Sequence, residues 1–229
     1  MRFPTLLLTA AGGVALLAQS YSPSLYSGLR WRQVGPFRAG RISAVAGIPG
    51  DPATYYLGTP GGGIWKSTSG GTAWRPIFDE TRQESIGSIA IARSNPDILY
   101  VGTGDVSSVE KSMNIGNGVW KSVDAGAHWE HIGLNDTHHV VSLVVDPKNP
   151  DVVLAAALGH TYSRNEERGL FRSADGGKTW TKVLYKGDNI GAVNMVADPD
   201  NPQTLFAGLE VYLTIPNGRG GGTGIGGRG

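Results

Sequence analysis

Side chains that could carry chemistry occur in two kinds of segment. The first is RSADGGKTW at 172–180, which sets the carboxylate of Asp175 between hydroxyl residues and beside two glycines. The second is a set of polar segments, whose candidate residues are Asp105, Glu110, His138, His139, His160, Arg164, Glu166 and Glu167. Two carboxylates about 5–10 Å apart can hydrolyse a glycosidic bond, and histidines can bind a metal ion. Either chemistry depends on the elements that position these groups.

The stretch at 172–180 belongs to a repeat. KSTSGGTAW at 66–74 and KSVDAGAHW at 121–129 follow the same pattern, and the closing tryptophans are 55 and then 51 residues apart. Ahead of each comes an Asx-Pro step and an apolar run, with another short apolar segment before it. In the third repeat the predicted strands are VVSLVV, VVLAAA, GLFRS and TWTKVL, which are rich in β-branched and aromatic residues.

Four short strands in each repeat of about 50 residues are typical of a propeller blade. No helical periodicity is sustained after the N-terminal apolar run. A fourth repeat supplies only its first two strands, within 192–213. The predicted fold class is therefore all-β, a β-propeller of four-stranded antiparallel blades, with about three and a half blades present.

The carboxylate at 175 is predicted to brace a turn rather than to catalyse. It links the third strand to the fourth, where Asp175 can accept hydrogen bonds from backbone N–H groups of its own turn. Gly176 and Gly177 allow backbone angles that other residues avoid. Trp180 is expected to begin the fourth strand and to pack between blades. The first repeat has Ser69 in the acidic position, and a hydroxyl can take the same role more weakly.

These turns resemble the Asp-box, or BNR repeat, Ser-x-Asp-x-Gly-x-Thr-Trp. The matching residues are Ser173, Asp175, Gly177, Thr179 and Trp180, then Ser122, Asp124, Gly126 and Trp129, then Ser67, Gly71 and Trp74. The segment 29–74 also resembles the start of exported bacterial proteins with sortilin-like or xyloglucanase-like propellers, often labelled glycosyl hydrolases. The resemblance covers about residues 28–213 and implies a ring of six to eight blades, so the chain is expected to be a truncated reading of a longer protein.

Three segments are predicted along the chain. Residues 1–20 read as a signal peptide, because Arg2 precedes a thirteen-residue apolar run at 6–18 and the small residues of AQS. Residues 21–215 hold the partial propeller, and the glycine-rich stretch 216–229 is expected to be disordered. The predicted location is outside the cytoplasm, either periplasmic or secreted.

Cleavage of the signal peptide gives the first testable prediction. The exported protein should begin at Tyr21, because Ala18 and Ser20 put small residues at both positions that signal peptidase reads. N-terminal sequencing of the mature chain measures this directly. A mature chain that still begins at Met1 would contradict the predicted export.

Composition excludes several classes of function. The formal net charge is +1, so nothing steers the chain toward nucleic acid. The absence of cysteine excludes disulfides and thiolate catalysis. No cofactor is predicted, and no membrane association is expected after signal cleavage.

The candidate residues are predicted to share one face of the propeller. Loops alternate between the two faces of an antiparallel blade, so the long loops after second strands and between blades lie together, opposite the Asp-box turns. Irregular loops on a rigid scaffold commonly carry sites. No metal site is predicted, because the adjacent residues His138 and His139 would point to opposite faces of a strand.

Two functions remain open. The favoured one is a binding or assembly module for a glycan or protein partner, which could also be the missing blades or another copy of the chain. The alternative is a glycoside hydrolase of the xyloglucanase or sialidase-like type. Resemblance to xyloglucan-degrading relatives implies a catalytic Asp directly after the second strand, where this chain has Pro60. Asp105 lies one residue beyond the equivalent point of the next blade, and PFRAGRIS at 36–43 lacks the Arg-Ile-Pro element of sialidases.

Overall fold

The computed structural model describes residues 40–105, 114–198, 201 and 204–211, together with residues 22, 24, 27 and 28. The chain divides into two compact units, 1–39 and 40–229. In the first unit, the N–H and hydroxyl of Ser27 both donate to the carbonyl of Ser24. The predicted signal peptide, Glu110 and the glycine-rich tail lie outside the described residues. Within the described part of the chain, no helix has the length and apolar character to cross a membrane.

The second unit consists of antiparallel sheets whose strands follow chain order. Blade 1 contains β1 (Ala44–Ile48), β2 (Asp51–Gly58), β3 (Ile64–Ser67) and β4 (Arg75–Pro76). Blade 2 contains β5 (Ile86–Ile91), β6 (Leu99–Thr103), β7 (Val119–Ser122) and β8 (Glu130–His131). Blade 3 contains β9 (Val140–Val145), β10 (Val153–Ala157), β11 (Gly169–Ser173) and β12 (Thr181–Leu184). A two-stranded sheet follows, β13 (Ile190–Ala197) and β14 (Leu205–Val211), and a short 3-10 helix spans Asp79–Thr81.

The predicted all-β architecture of four-stranded antiparallel blades is confirmed. In blade 3, VVSLVV and GLFRS coincide with β9 and β11, because the valines of β9 and the buried Leu170 and Phe171 of β11 suit both sheet pairing and burial. The fourth strands are shorter than expected, since β4 and β8 have two residues each. Trp180 lies just before β12 instead of opening it, because its indole turns toward the preceding blade.

First strands of successive blades are neighbours, and a serine links each pair. Ser88 in β5 donates to the carbonyl of Val140 at 2.9 Å, and Ser142 in β9 donates to the carbonyl of Met195 at 3.3 Å. Ser43, just before β1, donates in the same way to the carbonyl of Ile86. Each inner strand therefore presents a hydroxyl to the backbone of the next one, which fixes the spacing of the blades.

The core lies between blades. Tyr56, Ile64, Phe78 and Leu99 are buried in one cluster between blades 1 and 2, and corresponding clusters lie on either side of blade 3. The ring of Phe78 meets that of Trp129 edge to face, with centroids 5.0 Å apart. Burying one such side chain contributes about 1.5–3 kcal/mol, so the stability of each blade depends on its neighbours.

The turns between third and fourth strands are built on hydrogen bonds to one serine and one acid. Ser173 donates to Asp175 at 2.8 Å and accepts from the backbone N–H of Gly177 at 2.8 Å. Asp175 accepts from the N–H and the hydroxyl of Thr179 at 2.9 and 2.6 Å. These hydrogen bonds hold the pKa of the Asp175 carboxyl well below its usual range, led by the bond from the Thr179 hydroxyl.

The same arrangement recurs in the other two turns. In blade 2, Ser122 donates to Asp124, and His128 stands in the threonine position with Nδ1 2.6 Å from Asp124. In blade 1, the hydroxyl of Ser69 replaces the carboxylate and accepts from the N–H of Ala73 at 2.9 Å. The turns therefore share a hydrogen-bonding plan that requires an acceptor at this position, with or without a charge.

Blades are also joined at their outer edge. The indole N–H of Trp129 donates to the carbonyl of Ile77, and that of Trp180 to the carbonyl of Ile132, each in the preceding blade. In the opposite direction, Lys66 donates to the carbonyl of Ala125 in the following turn at 2.8 Å. The turns of blades 2 and 3 are therefore anchored to the blade before them and accept a hydrogen bond from a lysine of that same blade.

Loss of the buried hydroxyl in one turn should destabilise the protein. We expect Ser173→Ala to lower the free energy of unfolding by about 1–3 kcal/mol, because the buried N–H of Gly177 loses its acceptor. Urea unfolding followed by tryptophan fluorescence measures this, with Ser94→Ala at an exposed position as the control. Asp175→Ala should also lower the melting temperature. An activity lost in that variant at unchanged melting temperature would indicate a catalytic carboxylate instead.

Candidate functional site

The segments after second strands and before first strands form one face of the sheets, termed here the loop face. Asp105 follows β6, His138 and His139 precede β9, and the segment 158–168 follows β10. Backbone hydrogen bonds connect these segments. The N–H of Gly116 donates to the carbonyl of His138, and the N–H of Leu158 donates to the carbonyl of His139. The structure therefore brings together residues that lie up to about 60 positions apart in the chain.

Asp105 is buried on this face and paired with an arginine. Its side chain is 2% exposed, and one carboxylate oxygen lies 3.5 Å from the guanidinium of Arg41. The backbone N–H of Asp105 donates to the hydroxyl of Ser85 at 2.8 Å. Asp105 is the one buried carboxylate in the described part of the chain. Its environment suits a fixed structural anion better than a group that must reach a substrate.

His139 is buried beneath the loop face, next to His138 and within electrostatic reach of Asp105. Burial, followed by the neighbouring His138, lowers the pKa of His139 to about 4. Its Nδ1 has no hydrogen-bond partner among the described residues. The imidazole is therefore neutral near pH 7, because the cost of burying its charge outweighs the attraction of Asp105.

His138 turns away from His139 and stacks on His160. The rings of His138 and His139 are nearly perpendicular, with centroids 6.3 Å apart, so the two adjacent histidines do not act together. The rings of His138 and His160 are 3.6 Å apart and nearly parallel. Asp136 completes this group, with its Oδ1 3.6 Å from Nε2 of His138 and 3.1 Å from Nε2 of His160.

The remaining candidates lie along the segment 158–168. Arg164 forms an exposed ion pair with Asp188 at 2.7 Å. Glu166 is exposed, and its backbone carbonyl accepts a hydrogen bond from Lys182. Tyr162 is 45% exposed between these polar groups and His160. This part of the loop face thus offers an aromatic ring and charged groups to solvent.

Sequence reasoning missed three residues that shape the loop face. Asp136 joins the histidine pair, Arg41 pairs with Asp105, and the fully buried Arg168 donates to the carbonyls of His160 and Ser163. Asp136 could have been noticed because it lies two positions before His138. Arg168 gave a weaker signal, since it is one of several charged residues just ahead of a third strand.

Pro60 occupies the position after β2, as the sequence indicates. It is buried, and its carbonyl accepts a hydrogen bond from the side-chain amide of Asn114 at 2.6 Å. A cleft of about 410 Å³ lies at the other end of blades 1 and 2, lined by residues 46–49, 91–93 and Pro96. Among the described residues that line it, none is a carboxylate or a histidine, so this cleft lacks groups for acid–base catalysis.

Known proteins resemble this chain over most of its length. The Sortilin-Vps10 family model, described as "Sortilin, neurotensin receptor 3", matches residues 62–207. A xyloglucanase of a Paenibacillus species is 26% identical over 206 residues, which cover 78% of this chain and 19% of the relative. A xyloglucanase of Acetivibrio thermocellus is 26% identical over 148 residues, which cover 61% of this chain and 17% of the relative. The chain therefore spans about a fifth of the length of these curated relatives.

Solved structures show the same fold. An ancestral GH74 enzyme superposes with a TM-score of 0.63 at 18% identity, covering 80% of this chain and 24% of that one. The GH74 xyloglucanase from Xanthomonas campestris superposes with a TM-score of 0.57 at 22% identity, covering 80% and 29%. At these identities the likeness concerns the fold, and the predicted β-propeller is confirmed by it.

Proposed function

Because this chain belongs to the Sortilin-Vps10 family, we propose that it acts as an exported β-propeller binding module that recognises a β-glucan of the xyloglucan type through its loop face. Export is supported by the signal-like sequence at 1–20. The glycan class is supported by the relatives that are named xyloglucanases. Binding without hydrolysis is the activity that the loop face supports best.

The burial of Asp105 carries this proposal. A glycosidase needs two carboxyl groups that reach opposite sides of one bond. Asp105 is shielded from solvent and paired with Arg41, and in the described part of the chain no second carboxylate is buried beside it. Pro60, in the preceding blade, has no group that could donate or accept a proton in catalysis. The burial of Asp105, with no second buried carboxylate among the described residues, therefore favours binding over hydrolysis.

The exposed segment after β10 provides the means of binding. The ring of Tyr162 offers an apolar face and a hydroxyl, which together suit a sugar ring. Arg164 and Asp188 lie close by and can exchange hydrogen bonds with sugar hydroxyls. Because Tyr162 and Arg164 stand on a segment held by the buried Arg168, that segment is positioned before any ligand arrives.

Affinity electrophoresis in gels that contain xyloglucan tests the proposal. The full chain should be retarded, and Tyr162→Ala should weaken binding by about tenfold or more, equivalent to about 1.4 kcal/mol. Val123→Ala provides the control, because Val123 is also exposed but lies in the turn between β7 and β8. Unretarded migration of the full chain, or equal retardation of both variants, would contradict the proposal.

Hydrolysis is the second candidate, and the xyloglucanase relatives favour it. Incubation of the full chain with xyloglucan, followed by a reducing-end assay, distinguishes the two functions. The binding proposal predicts no release of reducing ends. Release that disappears in Asp105→Asn, at an unchanged melting temperature, would establish the hydrolase and assign Asp105 a role in it.

A further inference from the structure

We propose that Asp136, His138 and His160 form a binding site for a divalent transition-metal ion, with Zn²⁺ as the ion that suits it best. The three ligand atoms all lie within 4.8 Å of one another. Oδ1 of Asp136 is 3.1 Å from Nε2 of His160 and 3.6 Å from Nε2 of His138. The site is independent of the glycan-binding function proposed above.

The distances match those around a tetrahedral ion. Zinc binds imidazole nitrogen and carboxylate oxygen at about 2.0–2.2 Å, so neighbouring ligand atoms stand about 3.3 Å apart. The two measured separations from Asp136 bracket this value. The rings of His138 and His160 lie nearly parallel with centroids 3.6 Å apart, so one ring has to rotate about its side-chain torsions before both nitrogens can point at the same ion.

The backbones of both histidines are held by contacts outside the site, and one ring nitrogen of His160 has a partner there as well. The carbonyl of His138 accepts the N–H of Gly116 at 2.7 Å, and its backbone adopts a left-handed conformation with φ of 56°. The carbonyl of His160 accepts from the buried Arg168, and Nδ1 of His160 lies 3.4 Å from the hydroxyl of Ser163. A hydrogen-bonding partner on the second ring nitrogen is the usual support of a metal-binding histidine.

The chemistry of the ligands selects the kind of ion. Two imidazoles and one carboxylate suit zinc and its transition-metal neighbours, whereas Mg²⁺ and Ca²⁺ prefer oxygen ligands alone. Three protein ligands leave a further coordination position for water or another ligand. The side chains of His138 and His160 are 25% and 23% exposed, so an ion can reach the group from solvent.

Bound metal would join two segments of the loop face. Asp136 and His138 lie between blades 2 and 3, and His160 follows the second strand of blade 3. An ion that binds the folded chain and not the unfolded one stabilises the fold in proportion to the logarithm of its free concentration. We therefore expect Zn²⁺ to raise the melting temperature.

Calorimetric titration of the full chain, stripped of metal with EDTA and desalted, tests the site. With ZnCl₂ we expect one ion per chain and a dissociation constant of about 10 μM or tighter, and no binding of MgCl₂. His160→Ala and Asp136→Asn should each weaken zinc binding at least tenfold. His128→Ala is the matched control, because His128 also lies beside an aspartate but on the opposite turn, and this variant should bind zinc like the parent.

Cobalt gives a second readout that does not depend on heat or stability. Co²⁺ in a four-coordinate site of nitrogen and oxygen ligands should produce a visible absorption band, which Zn²⁺ then displaces. Circular dichroism of each variant separates loss of ligand from loss of fold, and His138→Gln replaces any variant that fails to fold. Absence of zinc binding at 100 μM free ion, or equal affinity of the His160 and His128 variants, would overturn the proposal.

Discussion

Gly169→Ala should lower the free energy of unfolding by about 3 kcal/mol or more, or prevent folding altogether. Gly169 opens β11 with φ of +108°, a region that residues with a side chain avoid. A Cβ at this position would stand 2.0 Å from the carbonyl oxygen of Leu184 in the paired strand β12. The strain of the backbone adds about 1–2 kcal/mol, and displacing the neighbouring strand adds about 1–3 kcal/mol.

A second glycine serves as the control for this substitution. Gly70 also has a positive φ, +65°, but a Cβ there would meet its nearest atom, the carbonyl oxygen of Pro52, at 3.7 Å. Gly70→Ala should therefore cost only the conformational strain, about 1 kcal/mol. Urea unfolding followed by tryptophan fluorescence compares the two variants. Equal unfolding midpoints would show that β12 can move away without loss.

Acidification from pH 7 to pH 4 should destabilise the metal-free protein by about 3 kcal/mol through His139 alone. The pKa of His139 is lowered to about 4 in the folded state and stands near 6.5 when the chain is unfolded. Between these values the unfolded chain binds the extra proton. Stability is therefore intact above about pH 6.5 and falls progressively as the pH drops toward 4.

Other titrating groups set the controls for this experiment. His138, His160 and Asp105 act electrostatically on His139, so EDTA must be present to exclude metal, and His139→Leu removes the titration itself. His128 acts in the opposite direction, because Asp124 raises its pKa, and its contribution grows as the pH falls. Thermal unfolding from pH 7 to pH 4 should show a smaller decline in His139→Leu than in the parent. Parallel curves would mean that His139 is protonated without penalty.

The repeat made the blades predictable, whereas the loop face depends on contacts between repeats. Ser173 and Trp180 have counterparts at fixed spacing in the other two turns, and Asp175 has one in blade 2, because each blade needs the same turn. One sequence pattern therefore reveals architecture and turn geometry together. The stack of His138 on His160 has no such signal, since the two residues are 22 positions apart in the chain and a complete strand pair lies between them. The sequence predicted that the adjacent His138 and His139 point apart on a strand; the two rings do point apart, but both residues precede β9 and His138 has a left-handed backbone.

The sequence likewise gave no sign that two of its charged side chains would be buried. Asp105 and Arg168 occur in polar segments that look solvent-exposed, yet the structure places both in the interior. The partner that makes this possible for Asp105 is Arg41, 64 positions earlier and in another blade. Arg41 and Asp105 meet because neighbouring blades pack against each other. Composition and periodicity do not reveal which residues of two blades come into contact.

The bonds between blades have a consequence for how such a chain can change its length. Trp129 and Trp180 donate to the blade before, while Lys66 and Lys121 donate to the turn after. A duplicated blade would therefore supply side-chain donors for the carbonyls of its new neighbours. It would also supply carbonyls for the donors of those neighbours. Gain or loss of a whole blade preserves these hydrogen bonds, whereas a break within a blade leaves several donors and acceptors without partners. The unit in which this fold can be lengthened by gene duplication is thus the blade, counted from one turn tryptophan to the next.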